Sequence, residues 1–478
     1  MRNYTVLFLA CLLFHVAGTW SLPLIDRDEP RFAEASREMR ERGDYIVPFF
    51  NNQFRFDKPP LTYWFQIASY RIFGENDFAA RFPTAVASAL VALVLFAWGK
   101  RVRDERAGWW AAIIFTLSLQ TFIHGKAAVA DMWLVLFVTL AHRAGWALLD
   151  LNAERPTSDA QRSITFWWAL FYVSLALAFL AKGPIGWTPL LTVAIVQTFV
   201  RQEGFATRFK FVRGLLLMLA LVCLWGIPAL VQTRGEFFRI GIGKHVVERS
   251  IATMEGHGGS SIWMYLTLLP FYFVTVLVSF FPWSIKLPVL WKSLRARRDA
   301  TDQFLLAGTL SIFGIFTFVQ TKLPHYTLPA FPLLALLVAR RFDSLRLWKS
   351  IPIAMTAIYA AIALFVTPFL AKMFPSYTLA RDSRPNLKPE MEFGAVEFTE
   401  PSLVWYFRDR THGFMTPLKR KETAEFMSRP GARFVVLPTK SAAEIFPIRG
   451  ASWRSYQAKG FNVAKGQSVD LTMLLKPD

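Results

Sequence analysis

The chain has 478 residues, of which 54% are hydrophobic and 18% are charged, whereas soluble domains average about 45–50% and about 25%. Its net charge of +20 would suggest a nucleic-acid partner if the protein were soluble. Soluble, disulfide-rich and disordered proteins are nevertheless excluded, because four apolar runs are long enough to cross a bilayer. These runs, which hold no Lys, Arg, Asp or Glu, are Leu215–Leu230, Tyr265–Phe281, Phe304–Val319 and Ile351–Leu370.

The hydrophobic pattern predicts an all-α polytopic membrane protein with eleven membrane helices. The first apolar stretch, Tyr4–Trp20, follows Arg2 and is longer than a signal-peptide core, so we expect it to be a retained helix. Tight turns at His124–Lys126 and Lys182–Pro184 separate neighbouring helices. The predicted spans are 4–23, 79–99, 107–123, 127–149, 164–181, 184–200, 211–231, 262–285, 303–320, 325–340 and 351–371.

The loops between the spans alternate in charge. Four loops on one side carry seventeen Lys or Arg residues, which predicts that they and the N-terminus are cytoplasmic. Topology therefore explains the basic charge, and we expect membrane lipids and no nucleic acid as partners. These loops are Lys100–Arg106, Arg201–Arg213, Lys286–Asp302 and Arg340–Lys349.

Two domains are predicted. Residues 1–371 form the membrane domain, and its first non-cytoplasmic loop, 24–78, contains two helices on the membrane surface, Arg31–Arg42 and Leu61–Phe73. Residues 372–478 are richer in charge and include the strand-like run Arg433–Leu437, so they form a small α/β domain on the same side.

Ionisable residues at membrane level are costly and indicate function. The acids from Asp26 to Glu29 could hold a metal or supply a general base, or simply begin a helix. Lys58, before Pro59, could contact a phosphate or snorkel to the interface. Asp131 either has a function or caps a helix.

Further charges lie in short turns on the same face. Lys182, at a Gly-Pro turn, has no opposite charge close to it in the sequence, so we expect a counter-ion such as a lipid phosphate. Lys322 occupies a similar turn, and the i to i+4 spacing places His245 and Arg249 on one helical face. Cations for a phosphate together with carboxylates for sugar chemistry fit a polyprenyl-phosphate sugar.

Several motifs in their order resemble a known family. They are Asp28-Glu29-Pro30-Arg31-Phe32-Ala33-Glu34, Gly43-Asp44-Tyr45-Ile46-Val47-Pro48, Phe56-Asp57-Lys58-Pro59, Ala181-Lys182-Gly183 and Lys322-Leu323-Pro324-His325-Tyr326. Over roughly the first 340 residues the chain resembles the bacterial 4-amino-4-deoxy-L-arabinose lipid A transferases. These enzymes belong with the protein O-mannosyltransferase-related GT-C glycosyltransferases.

The resemblance implies an inverting glycosyltransferase of the bacterial inner membrane with a periplasmic active site. It takes a sugar from undecaprenyl phosphate and places it on lipid A or a related envelope acceptor. Asp28 matches the essential acid and Asp131 a second acid. No cofactor is required, although a divalent metal ion lies near Asp57 and His245 in some members. The donor phosphate or substrate contacts expected by resemblance or position are Lys58, Arg31, Lys182, Arg249, Lys322, His325, Tyr326 and Tyr63.

The chain is shorter than the typical aminoarabinose enzymes, which leaves the sugar and the acceptor open. For a hydroxyl acceptor Asp28 would be the general base, whereas for a lipid A phosphate it would orient the acceptor or stabilise positive charge on the sugar. A protein O-glycosyltransferase of the same fold is one alternative. A lipid flippase is another, but the chain has no internal repeat, and the ionisable residues singled out above lie on one face instead of near the midplane.

Overall fold

The computed structural model describes residues 2–149, 158–200, 204–248, 262–341 and 350–477, and it is mostly helical. The helices of the first half are α1 (Arg2–Val16), α2 (Asp28–Arg42), α3 (Leu61–Phe73), α4 (Asp77–Val102), α5 (Glu105–Thr116), α6 (Leu119–His124), α7 (Asp131–Leu148), α8 (Ser158–Lys182), α9 (Thr188–Val200), α10 (Phe205–Phe209), α11 (Phe211–Gln232) and α12 (Phe237–Glu248). Those of the second half are α13 (Ile262–Thr267), α14 (Phe271–Ser279), α15 (Leu287–Ala296), α16 (Ala300–Phe318), α17 (Phe331–Arg341), α18 (Ser350–Ala361), α19 (Thr367–Leu370), α20 (Pro375–Ser383), α21 (Pro401–Phe407), α22 (Arg420–Ser428) and α23 (Thr439–Ile445).

Short 3₁₀-helical or π-helical segments join some of these helices. They are Pro184–Trp187, Trp283–Lys286, Pro324–Ala330, Ile362–Val366, Ala371–Met373 and Arg384–Asn386. The strands are β1 (Phe49–Phe50), β2 (Gln53–Phe54), β3 (Glu392–Val396), β4 (Met415–Leu418), β5 (Arg433–Pro438), β6 (Arg454–Asn462) and β7 (Gln467–Lys476).

Five helices within the described residues are long and apolar enough to cross a membrane. A sixth span results if α14 and the helix after it, which are bent by 118°, are counted as one. The multi-pass character is therefore supported, and the count of eleven stays a prediction. The five spans are Asp77–Val102, Ile164–Lys182, Phe205–Gln232, Ala300–Phe318 and Ser350–Met373.

The prediction of one continuous helix over 107–123 is wrong. Ser118 is extended (φ −67°, ψ 135°) and separates α5 from α6. The Ser118 hydroxyl donates to the carbonyl of Ile114 over 2.7 Å, and the amide of Leu119 donates to the carbonyl of Phe281 over 3.0 Å. The break is possible at membrane depth because the backbone groups that leave the helix find partners within the protein. Prolines likewise interrupt the predicted span 262–285.

The chain divides into two compact units. The first comprises Met1–Val16, Phe56–Thr62 and Pro83–Tyr359. The second comprises Ala17–Arg55, Tyr63–Phe82 and Ala360–Asp478. The domain boundary predicted between residues 371 and 372 stays a prediction.

The first unit is a helix bundle. Helix α7 is buried on nearly all sides and packs along α8, while α5 packs along α17 and α9 along α16. Apolar residues all round a helix are typical of such a central position. Helix α11 instead exposes large apolar side chains such as Leu224 and Val231, 74% and 75% exposed, which suits contact with lipid.

The second unit contains a five-stranded sheet in the order β4-β3-β5-β7-β6. Strands β3, β4 and β5 are parallel, whereas β7 is antiparallel to both β5 and β6. Strand β5 reads RFVVLP because both of its faces are buried: Phe434 and Val436 pack on one face, Val435 and Leu437 on the other. The predicted strand and the α/β character of the tail are confirmed.

Helix α2 is confirmed as a helix, but its predicted position on a surface is wrong. Most of its residues are buried, and it packs against α21 of the same unit. Its charged side chains are paired there: Arg37 donates to Glu34 over 2.8 Å, and Arg408 also contacts Glu34. Buried charges need such partners, so the charge-rich sequence of α2 serves packing within the unit.

Candidate functional site

A cavity of about 390 Å³ in the first unit gathers charged side chains that the sequence had marked separately. We call it the charged cavity. Its lining includes Asp57, Lys58, Asp131, Lys182 and Tyr326, and most of the remaining lining residues are apolar. The structure therefore brings together five of the predicted site residues.

Local sequence explains how these side chains reach one place. Helix α8 ends at Lys182 because Gly183 adopts a positive φ of +82° and Pro184 follows. Asp131 is the first residue of α7, and Tyr326 lies in the tight turn Pro324–Ala330. Lys182 and Asp131 are thus fixed at helix ends, and Tyr326 is fixed in a turn.

Lys182 and Asp131 form an ion pair. The ammonium donates to Oδ1 of Asp131 over 2.5 Å and lies 5.5 Å from the ring centre of Tyr326. The side chains are 15% and 10% exposed, respectively. The expected counter-ion of Lys182 is thus present in the protein as a carboxylate 51 residues earlier, and contact of Lys182 with a lipid phosphate stays a prediction. Asp131 is not a cap of α7, since the N-cap residue is Ala130.

A second ion pair lines the same cavity. The ammonium of Lys58 donates to Oδ1 of Asp57 over 2.7 Å, and both side chains are mostly buried. The four charged residues of the cavity thus form two opposite-charge pairs.

An apolar cavity of about 200 Å³ adjoins the charged one. Asp57, Lys182 and Pro184 line both cavities. The remaining walls are almost wholly apolar and aromatic, with Cys223 and Trp225 from α11 among them. This combination of a charged and an apolar space suits an amphiphile with an anionic head. Sequence reasoning missed these α11 residues because nothing distinguishes them from lipid-facing ones.

Lys322 does not line the charged cavity. Its ammonium donates to the carbonyls of Phe316 and Thr317, over 2.9 and 2.6 Å, at the end of α16. A lysine in this position satisfies the last carbonyls of a helix. Substrate contact by Lys322 stays a prediction.

Three metal-ligating side chains meet beside the charged cavity. One ligand atom from each of His124, Asp131 and His325 lies within 4.8 Å of the others. Sequence reasoning marked His325 and Asp131 but missed His124, which it treated only as part of a turn. The metal contact expected at Asp57 and His245 stays a prediction, because the side chain of His245 lies outside the described residues.

The acidic cluster after α1 belongs to the second unit. Asp26 accepts hydrogen bonds from the amide and hydroxyl of Ser402, over 2.9 and 2.5 Å, and burial raises the pKa of Asp26 to about 7. Glu29 accepts from Arg81 over 2.8 and 2.7 Å. Asp28, at the first position of α2, is exposed.

Three further residues were predicted to contact the substrate, namely Arg31, Tyr63 and Arg249. Arg31 is half-buried on α2. Tyr63 is fully buried, stacks on Phe32 with ring centres 5.2 Å apart, and its hydroxyl accepts from Arg55 over 3.1 Å. Packing within the unit thus explains the buried position of Tyr63, and contact of Tyr63 with substrate stays a prediction. Arg249 lies outside the described residues.

Comparison with known proteins shows what the chain resembles. The family model described as dolichyl-phosphate-mannose-protein mannosyltransferase matches residues 4–239. The crystal structure of ArnT from Cupriavidus metallidurans bound to undecaprenyl phosphate superimposes with a TM-score of 0.77 over 99% of this chain and 98% of that chain, at 19% identity. The chain therefore has the fold of this ArnT structure.

Curated relatives agree with this ArnT-like fold. Two are named undecaprenyl phosphate-alpha-4-amino-4-deoxy-L-arabinose arabinosyl transferase. The protein from Edwardsiella ictaluri is 28% identical over 345 residues, covering 71% of this chain, and that from Yersinia pestis is 30% identical over 316 residues, covering 65%. The aligned regions span 60% and 54% of these two relatives.

Proposed function

We propose that this ArnT-like protein transfers a sugar from a polyprenyl-phosphate donor to lipid A, with inversion at the anomeric carbon. The observation that carries the proposal is the joining of the charged cavity to the apolar one through Asp57, Lys182 and Pro184. A polyprenyl phosphate has a charged head and an apolar chain, so it needs both spaces side by side. The names of the arabinosyl transferases support the same donor class.

Lys182 and Lys58 are the proposed contacts of the donor phosphate. In the reaction the bond from the anomeric carbon to the phosphate oxygen breaks, and the acceptor oxygen forms the new bond. The leaving phosphate gains a negative charge, which cations already in place stabilise. Because Asp131 contacts Lys182 over 2.5 Å, we assign it as a positioning residue that orients the ammonium.

Asp28 is the proposed catalytic carboxylate of the second unit. Its exposure on α2 leaves its carboxylate open to solvent, whereas Asp26 and Glu29 are engaged by Ser402 and Arg81. With a hydroxyl acceptor Asp28 would take the proton; with a lipid A phosphate, which is already ionised, it would orient the acceptor.

The proposal includes a location. The chain would lie in the bacterial inner membrane with eleven spans, and its active site and C-terminal sheet would face the periplasm. The loop charges support this orientation. A cysteine introduced into the sheet should react with a membrane-impermeant maleimide in intact spheroplasts, and labelling only after lysis would contradict it.

Mass spectrometry of lipid A tests the activity. We would compare cells that make the donor and carry the intact protein, Asp28→Asn, Lys182→Met or no protein. A sugar-sized mass increment seen only with the intact protein supports the proposal, and its mass identifies the sugar. We expect each variant to lose about 100-fold or more of the product.

Identical spectra with and without the protein would refute lipid A as the acceptor. The match to protein mannosyltransferases makes periplasmic proteins the next acceptor to examine. Donor that crosses the membrane without being consumed would instead indicate a flippase.

A further inference from the structure

One cluster of metal-ligating side chains has no assigned role in the proposed sugar transfer, although one of its members, Asp131, positions Lys182. The cluster consists of His124, Asp131 and His325. His124 ends α6, Asp131 begins α7, and His325 lies in the turn before α17. Their ligand atoms lie within 4.8 Å of one another, and the two imidazole ring centres are 4.8 Å apart. Ligands held around zinc at about 2.0–2.2 Å lie about 3.3–3.6 Å apart, so modest side-chain rotations would close the group around an ion.

We propose that these three side chains bind a divalent transition-metal ion, with zinc as the best match. Two imidazoles and one carboxylate are a donor set that zinc accepts, and a fourth position stays open. Magnesium and calcium prefer oxygen ligands, so they fit this group less well. Lys182 contacts Oδ1 of Asp131, and the ion would bind Oδ2 of that carboxylate.

A neighbouring amide supports one of the ligands. The amide nitrogen of Gln120 lies 2.8 Å from Nδ1 of His124, and the amide oxygen accepts from the hydroxyl of Ser279 over 3.2 Å. Metal-bound histidines are commonly held by such a partner on the second ring nitrogen. A rotation of the amide by 180° would turn its oxygen toward Nδ1, so that Nε2 of His124 would face the metal, and the Ser279 hydroxyl can then accept from the amide nitrogen.

The net charge of the cavity lining indicates a role for the ion. The four charged residues that line the charged cavity form two pairs, Asp57 with Lys58 and Asp131 with Lys182, so their charges cancel. A phosphate that leaves with additional negative charge therefore meets little net positive charge from them. An ion bound through Asp131 would add two positive charges at this wall. This role rests on the proposed function, whereas binding of the ion does not.

The site differs from the one expected near Asp57 and His245. Asp57 is engaged by Lys58 over 2.7 Å, and the cluster proposed here contains neither Asp57 nor His245. The two assignments also differ in chemistry, because the proposed site has two imidazole ligands and the other has one.

Metal binding by the full-length protein in detergent tests the proposal. We would remove any polyhistidine tag, strip metal with EDTA, add Zn²⁺ alone and measure bound zinc by mass spectrometry after desalting. We expect about one equivalent in the unchanged protein and in Asp57→Asn. His124→Gln and His325→Gln should each lose more than about tenfold in affinity, whereas His412→Gln, which changes an exposed histidine of the second unit, should bind normally.

Two further measurements keep the proposal falsifiable if a variant does not fold. X-ray absorption at the zinc edge of the unchanged protein should show two imidazole ligands, and Co²⁺ should give tetrahedral visible bands. An unchanged zinc content in folded His325→Gln, a single imidazole in the absorption spectrum, or no binding at all would overturn the site. Zinc binding without any lipid A product would refute the proposed function and leave the metal site standing.

Discussion

Replacing Asp131 with asparagine removes one charge of the ion pair that lines the charged cavity. At the 2.5 Å separation of Lys182 Nζ and Asp131 Oδ1, the gross Coulomb attraction is about 7 kcal/mol at an effective dielectric constant of about 20. Desolvation of the two mostly buried side chains offsets much of this attraction. The asparagine variant should still lose about 3–5 kcal/mol of the free energy of unfolding, because the Lys182 ammonium stays buried without its partner.

A double-mutant cycle isolates the pair. Asp131→Asn combined with Lys182→Met should recover part of the loss and give a coupling energy of about 2–3 kcal/mol. Unfolding by SDS in mixed micelles, followed by tryptophan fluorescence in EDTA, measures each free energy without a contribution from bound metal. The exposed pair Lys100–Glu105, whose charged atoms are 3.2 Å apart, is the matched control. Its coupling should stay below about 1 kcal/mol.

The reasoning fails if the Asp131–Lys182 coupling is as small as that of the control pair. Such a result would mean that water screens the charged cavity and that Lys182 does not depend on Asp131 for its position. The assignment of Asp131 as a positioning residue would then be withdrawn, while the test of Lys182→Met on lipid A would be unaffected.

Other predictions follow from packing, cavity shape and titration. Gly99→Ala should destabilise the protein by about 1–3 kcal/mol in the same SDS assay, because its new Cβ would lie 2.6 Å from the backbone of the facing helix; Gly226→Ala, with no atom within 4 Å, is the control and should not destabilise. Cys223→Trp should fill part of the apolar cavity and raise the donor KM about tenfold or more with a smaller effect on kcat, whereas Cys223→Ser should resemble the unchanged enzyme. The folded-state pKa of Asp26 is about 7 against an ordinary 3.8, so the native state retains a proton that the unfolded state loses, and stability should fall as pH rises from about 4 to about 7. Asp26→Asn should remove this part of the fall in thermal midpoints measured between about pH 5 and about pH 8, and an unchanged slope would contradict the burial of this carboxyl.

Features encoded in adjacent residues could be predicted from the sequence. The end of α8 at Lys182 follows from the Gly-Pro pair after it, and strand β5 follows from a short run of β-branched and aromatic residues. The helicity of α2 follows from its composition. Each of these depends on local backbone preference and on hydrophobic pattern, which a sequence displays directly.

Partners that are distant in the chain could not be predicted. The pairing of Lys182 with Asp131 joins α8 to α7, and the approach of His124 to His325 joins residues about 200 positions apart. The burial of α2 depends on a contact between Glu34 and Arg408. In all three cases the sequence shows which groups need a partner, but only the packing of the unit decides which partner they receive.

The acids after α1 show how packing separates roles that the sequence leaves equivalent. Asp26 is engaged by a hydrogen bond from Ser402, and Glu29 is engaged by two hydrogen bonds from Arg81, so both acids have a structural role. Because removal of either acid would disturb packing, a loss of product in those variants would not distinguish catalysis from folding. Asp28 is exposed, so Asp28→Asn should leave the free energy of unfolding nearly unchanged. A loss of lipid A modification in that variant therefore identifies a chemical role, and a comparable loss of stability would refute it.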